Sequence, residues 1–307
     1  MKEKLIVLAG PTAAGKTALS VELAKKINGS VISADSMQVY KYMDIGSAKI
    51  TKDEMQGVPH YLVDCLLPSE EFNISVFKKM ADEAIEDIRS KSRIPIVCGG
   101  TGFYIRALAY DTEFVEEEHK EDIRGELEKI LEEKGTVYLH DMLKEIDPES
   151  AEAIHPNNTK RVIRAIEYYR LNGSKISEHN RESRQKESPY DLSYFVLDMD
   201  RSRLYQRIDM RVESMMQAGL LDEVKKLKDM GYDRSFVSMQ GLGYKELLDH
   251  LDGLTTLDEA VEIIKRDTRH FAKRQLTWFR SERDAVFLSL DEYKTREEQL
   301  NFIMEHI

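Results

Sequence analysis

The 307 residues suffice for one large domain or two modest ones, and a hydrophobic share of 41% allows a sizeable core and excludes global disorder. A net charge of −11 argues against indiscriminate nucleic-acid binding. No apolar run approaches a membrane span, and two cysteines give no disulfide framework or metal site.

Leu5 to Ala9 predicts a first strand. It is too short for a signal-peptide core, which points to a cytoplasmic protein. Gly10-Pro11-Thr12-Ala13-Ala14-Gly15-Lys16-Thr17 follows, a complete G-x-x-x-x-G-K-[ST] loop, and Ala18 to Ile27 continues as a helix. Strand, glycine loop and helix together are the setting in which backbone amides cradle a diphosphate. Lys16 neutralises its oxygens, and the Thr17 hydroxyl is the expected Mg²⁺ ligand. Val31-Ile32-Ser33 predicts a second strand, ending in Asp35-Ser36-Met37-Gln38. Ligands bind beyond the carboxyl ends of strands in open α/β sheets, so Asp35 is a candidate proton acceptor or metal carboxylate. A helix cap is an equally open reading.

His60 to Asp64 predicts a third strand, Ile74 to Lys91 a long amphipathic helix, and Ile94 to Cys98 a fourth, fully buried strand. Cys65 and Cys98 fall in these apolar stretches and read as buried, reduced thiols. The fourth strand ends in Gly99-Gly100-Thr101-Gly102, where glycines permit close approach of a ligand and Thr101 offers a neutral hydroxyl. Asp64 is a second candidate metal carboxylate.

From Phe114 to Pro189 no strand is predicted. Helices are expected over 120–133, 137–145 and 159–172. Strands return at 194–198 and 285–288, with helices over 201–218, 220–230, 245–251 and 257–280 between them and a further helix at the end. The expectation is an α/β fold, a P-loop NTPase-like parallel sheet core formed by 1–113 and 190–307, with an all-helical insertion at 114–189.

Charge is segregated. Residues 113–133 hold ten acids and three bases, 160–186 eight bases and three acids, and 265–283 seven bases and two acids. The basic stretches read either as solvated helix faces or as a focused polyanion surface. In the last of them Phe271 and Trp278 stand seven apart. That spacing favours one core-facing stripe over base stacking, with the basic side chains left for RNA.

The ordered set GPTAAGKT, DSMQVY, GGTGFY, HPNN-x-x-R, QGLGYKE and TRHFAKRQLTWFR resembles the bacterial tRNA dimethylallyltransferases (tRNA isopentenyltransferases) from residue 5 to about 283. Met37 departs from the arginine frequent there. The resemblance implies transfer of a dimethylallyl group from dimethylallyl diphosphate to N6 of the adenosine 3′ of the anticodon in tRNA. It implies Asp35 as proton acceptor, Lys16, Thr17 and Mg²⁺ on the diphosphate, and Arg211, with Arg207 as a second candidate, as a clamp. Thr101 is implied across the site from them. Asp35, Ser36, Met37, Gln38, Gln240, Gly241 and Lys245 are implied around the target base, with Arg124, Lys160, Arg161, Arg164, Lys273 and Arg274 on the anticodon stem-loop. A monomer is expected. A small-molecule kinase shares the loop but leaves Asp35-Ser36-Met37-Gln38 and the basic-aromatic helix unexplained. A transferase acting on free adenine nucleotide does not need the helical insertion, and a non-catalytic RNA adaptor needs neither Asp35 nor Thr101.

Overall fold

A computed structural model describes residues 2–112 and 120–307, apart from the side chains at 120–122, 183 and 184. Part of the acidic run (Glu113, Glu116, Glu117 and Glu118) lies outside the described residues, as does the side chain of Arg184. The backbone divides into two compact units, Met1–Asp111 with Ser188–Ile307, and Thr112–Glu187.

The first unit holds six parallel strands: β1 (Lys4–Ala9), β2 (Gly29–Ala34), β3 (His60–Tyr61), β4 (Ile94–Gly99), β5 (Asp191–Asp198) and β6 (Ala285–Ser289). Their order is β3-β2-β4-β1-β5-β6. The helices preceding β5 in the chain are α1 (Lys16–Ile27), α2 (Lys52–Met55), α3 (Ile74–Ser90), α4 (Gly102–Ala109), α5 (Lys120–Ile146), α6 (Pro148–Ala153), α7 (Thr159–Asn172) and α8 (Ile176–Gln185). After it come α9 (Arg201–Gln217), α10 (Leu220–Asp229), α11 (Tyr244–Leu251), α12 (Leu257–Phe279) and α13 (Arg296–Glu305).

The two-residue period of a strand distributes the core. Leu5, Val7 and Ala9 of β1 join one hydrophobic cluster, with Val97, Tyr194 and Val196. Ile6 and Leu8 join the other, with Ile96, Phe195 and Leu197. A sheet buried on both faces explains why these strands read as continuous apolar runs. Each fully buried Leu or Ile contributes roughly 1.5–3 kcal/mol. Helix starts are fixed locally: Thr256 with Glu259 forms a capping box at α12, and Asn73 caps α3.

Three expectations need correction. The third strand is two residues long because Leu62 and Asp64 both turn into the left-handed region at φ 59°. Cys65, just beyond it, is exposed, while Cys98 is half-buried. The segment after Gly100 is not only a glycine turn but opens α4, whose apolar residues Ile105 and Leu108 are buried. In the second unit, α5 spans 120–146 but is broken at Gly135, φ 82°, which separates the two helices expected over 120–133 and 137–145. That unit has its own core, centred on Leu127, Leu139, Leu143, Val162 and Ile166. No described helix is long and apolar enough to cross a membrane.

Candidate active site

The phosphate loop carries β1 into α1, with Ala13 at φ 62° and Gly15 at φ 91°. Lys16 opens the helix, and its Nζ donates to the Pro11 carbonyl at 2.7 Å, folding the ammonium back over its own loop. Thr12, Lys16 and Thr17 then line a cavity of about 90 Å³ with Asp35, Gln38, Gly99, Gly100, Arg211, Phe271 and Gln275. The carboxyl ends of three neighbouring strands, β1, β2 and β4, therefore open on one space, closed by α9 and α12. Val31, Ile50 and Val63 give it an apolar wall. The chemistry matches an anionic head joined to a small apolar group.

Asp35 follows β2 directly. Its Oδ1 accepts from the backbone amides of Met37 at 2.9 Å and Gln38 at 3.4 Å. The cap reading and the functional reading are thus compatible, because a carboxylate has two oxygens and Oδ2 takes no hydrogen bond among the described residues. Met37 packs over Gly241, where a Cβ would come within 2.4 Å of its methyl carbon. This contact brings the segment 35–38 beside the turn that carries Gln240. Gln240 itself donates to the Arg234 carbonyl. Lys245 lies away from the cavity, 3.4 Å from Glu246.

The electrostatics are dominated by burial. It lowers Lys16 from 10.5 to about 8, against the opposing charges of Cys98 and Asp35 and with a further push from Arg211. Burial also lowers Arg211, with Asp35 opposing. A guanidinium stays protonated under such a shift, so the site presents two cations facing one carboxylate.

Gln275 was not singled out from the sequence, yet it ties the site together. Its Oε1 accepts from the Thr12 amide at 2.9 Å, and its Nε2 donates to the Gly100 carbonyl at 2.9 Å. One side chain of α12 thereby bridges the phosphate loop and the end of β4. A buried uncharged amide in a helix crowded with basic and aromatic residues carries no sequence signal of such a role. The glycines of the 99–102 segment serve the same packing. A Cβ on Gly99 would meet the Ala34 carbonyl at 2.1 Å, on Gly100 the Gln275 amide at 2.2 Å, and on Gly102 the Trp278 ring at 2.2 Å. Protein groups fill the space of the missing Cβ atoms, while Gly99 and Gly100 still line the cavity. Thr101 stands at the N-cap position of α4 without a side-chain capping hydrogen bond, one residue past the cavity lining, and its amide donates to the Ala34 carbonyl.

The aromatics of α12 part company. Trp278 packs on the core, under the Arg106 guanidinium at 4.6 Å and edge-on to Phe103. Phe271 lines the cavity instead, with Arg274 5.9 Å above its ring. Asp64 is paired with Lys49 at 2.8 Å and does not line the cavity. Among the described residues no three His, Cys, Asp or Glu side chains form a metal-ligand cluster. Mg²⁺ needs only one or two protein oxygens beside those of a phosphate. The Thr17 hydroxyl and the Asp35 carboxylate, lining one cavity, fit that donor set.

The basic stretches sort by partner. Lys265 pairs with Glu213 and Glu262, Arg266 with Asp267, and Arg269 with Asp209. Lys273 and Arg274 are exposed and take no carboxylate partner among the described residues. In the second unit Lys160, Arg161 and Arg164 are exposed on α7, whose opposite side buries Val162, Ile163 and Ile166. Arg124 lies 3.6 Å from Glu167.

Comparison with known proteins agrees with this geometry. A family model described as IPP transferase matches residues 38–282. A tRNA dimethylallyltransferase of Lachnoclostridium phytofermentans is 58% identical over 293 residues, 95% of this chain and 94% of that protein. Among solved structures, a full-length tRNA isopentenylpyrophosphate transferase from Bacillus halodurans is 47% identical with a TM-score of 0.75, covering 99% of this chain and 97% of that one. A eukaryotic dimethylallyltransferase acting on tRNA superposes with a TM-score of 0.80 at 32% identity, over 99% of this chain and 80% of that one.

Proposed function

This chain belongs to the IPP transferase family, and on that premise we propose that it moves a dimethylallyl group from dimethylallyl diphosphate to tRNA. The acceptor is N6 of the adenosine 3′ of the anticodon. The carbon–oxygen bond of the donor breaks, a carbon–nitrogen bond forms, diphosphate leaves with the electron pair, and the N6 proton goes to a base. The observation that carries this reading is the single cavity shared by Lys16, Thr17, Asp35 and Arg211, with an apolar wall beside the phosphate loop.

Each residue has a physical task in that reaction. The loop amides of Ala13, Gly15, Lys16 and Thr17, with the Lys16 and Arg211 side chains, stabilise the negative charge that grows on the leaving diphosphate. Asp35, with Oδ2 unengaged, accepts the N6 proton and orients a weakly nucleophilic amine. The Thr17 hydroxyl is suited to hold Mg²⁺, which would supply further charge neutralisation at the diphosphate, while Asp35 Oδ2 is kept for the proton. The target base must leave its stack to enter, at a cost of roughly a few kcal/mol, less in a single-stranded loop. Phe271 offers it an aromatic face at the cavity. Arg124, Lys160, Arg161, Arg164, Lys273 and Arg274 supply phosphate contacts. Labelled dimethylallyl diphosphate incubated with unmodified tRNA, followed by nucleoside analysis, tests the proposal. Label on a modified adenosine is expected, and hydrolysis of ATP without transfer would favour a kinase-like enzyme instead.

A further inference from the structure

Three arginines stand four residues apart on α9: Arg203, Arg207 and Arg211. At 3.6 residues per turn they share one side of the helix, each about one turn from the next. Their surroundings differ along that line. Arg211 lines the cavity. Arg203 is exposed and held by Asp291 at 2.9 Å and by the Leu290 carbonyl. Arg207, between them, lies outside the cavity lining and has no carboxylate partner among the described residues.

Arg207 nevertheless points at the phosphate loop. Its Nη2 lies 3.5 Å from the point where a Gly15 Cβ would sit, and Nη2 of Arg296, the first residue of α13, lies 3.9 Å from the same point. Two guanidiniums thus converge on one spot. Arg296 keeps a partial counter-charge, Glu22 at 3.4 Å, and donates to Gln299. The proton affinity of Arg207 is lowered by burial first, then by the charges of Arg203 and Arg296. Glu22 offsets Arg296 alone, so Arg207 is left between two like charges, an arrangement that an anion relieves.

We propose that Arg207 and Arg296 form a second anion subsite, outside the cavity beside Gly15, that takes a phosphate-type anion. The inference rests on the reading of the cavity as a diphosphate site. It assigns Arg207 a place next to the clamp of Arg211 rather than within it. The line of guanidiniums gives the diphosphate product a stepwise path, from the half-buried Arg211 to Arg207 and Arg296 and then to solvent. A backbone phosphate of the RNA has the same chemistry and could occupy the same pair.

The test uses the full chain in a Lys16→Met background, where the cavity site is disabled. Calorimetric titration with inorganic diphosphate then reads the residual binding. Adding either Arg207→Gln or Arg296→Gln should weaken it about tenfold, the loss of one charge-assisted contact. Arg207→Lys, which keeps the charge, should retain most of it. In parallel, the affinity of an anticodon stem-loop RNA is measured across a salt series for Arg207→Gln in the otherwise unaltered protein. Lost diphosphate binding with an unchanged salt slope assigns the subsite to the product. A slope reduced by about one, with diphosphate binding intact, assigns it to an RNA phosphate. No change in either measurement overturns the subsite. Because neither titration requires turnover, failure of the subsite is distinguishable from absence of transferase activity.

Discussion

Replacing Lys16 by methionine should stabilise the ligand-free protein while removing its use of the donor. The folded-state value of about 8 lies below the ordinary 10.5, so the unfolded chain binds the lysine proton more tightly. The resulting penalty is fully present below about pH 8 and is relieved as pH rises from 8 toward 10.5. The difference, about two and a half pH units at about 1.36 kcal/mol each, sets an upper limit of roughly 3.4 kcal/mol. Lys16 keeps partial contact with solvent and donates to Pro11, so about half of that is expected at pH 7, roughly 1.5 kcal/mol. At about 2–4 °C per kcal/mol for a unit of this size, Tm should rise by about 4 °C. Saturating diphosphate reverses the order. At a hundredfold excess over Kd it stabilises the unaltered protein by about 2.7 kcal/mol and the variant by little. Thermal scans with and without diphosphate measure both effects. A variant that melts lower without ligand, or gains as much from diphosphate, would refute a strained, anion-seeking lysine.

Other outcomes follow from the same geometry. Donor affinity should fall about tenfold between pH 7 and pH 9, because the ligand selects the protonated Lys16; a flat binding profile over that range would contradict it. Asp35→Asn preserves the carbonyl oxygen that caps Met37 and removes the base, so single-turnover rates should drop by about two to four orders of magnitude with RNA affinity intact. Equal loss of RNA affinity would assign Asp35 to docking. Gln275→Ala breaks both hydrogen bonds and opens a buried gap, for a predicted loss of about 2–3 kcal/mol of stability in chemical denaturation. Charge reversal at Lys273 and Arg274, or at Lys160 and Arg161, should weaken tRNA binding and flatten its salt dependence while donor titrations stay unchanged. Unaltered slopes for both pairs would return these residues to the solvated surface.

Much of this architecture is legible in the residues, and the failures have physical causes. Strands buried on both faces announce themselves as apolar runs, and β1, β2, β4 and β5 were found within a few residues of their ends. The third strand was read too long because backbone reversal at Leu62 and Asp64 uses residues that do not ordinarily advertise it. The phosphate loop and Asp35 are visible because their spacing is local. Gln275 and Arg296 were missed because their meaning depends on partners 263 and 281 residues away, Thr12 and Gly15. The glycines after β4 were visible, and Gly99 and Gly100 line the cavity, but their packing against Ala34 and Gln275 was not legible, since sequence shows that space is needed and not what fills it. Phe271 and Trp278 differ for a related reason. Helical spacing puts them on one stripe, but α12 faces the cavity only at Phe271 and Gln275, while Ala260 and Ile264 before them and Trp278 and Phe279 after them pack on the core.

The amide of Gln275 makes α12 a lever as well as a wall. Its neighbours Lys273 and Arg274 face outward, whereas Gln275 grips Thr12 and Gly100. A pull on the outer surface of this helix is therefore felt at the backbone that cradles the donor. Thermodynamic linkage makes any such coupling two-way: the factor by which bound RNA alters donor affinity must equal the factor by which donor alters RNA affinity. A shorter residue at position 275 should uncouple the two affinities even where each, taken alone, survives.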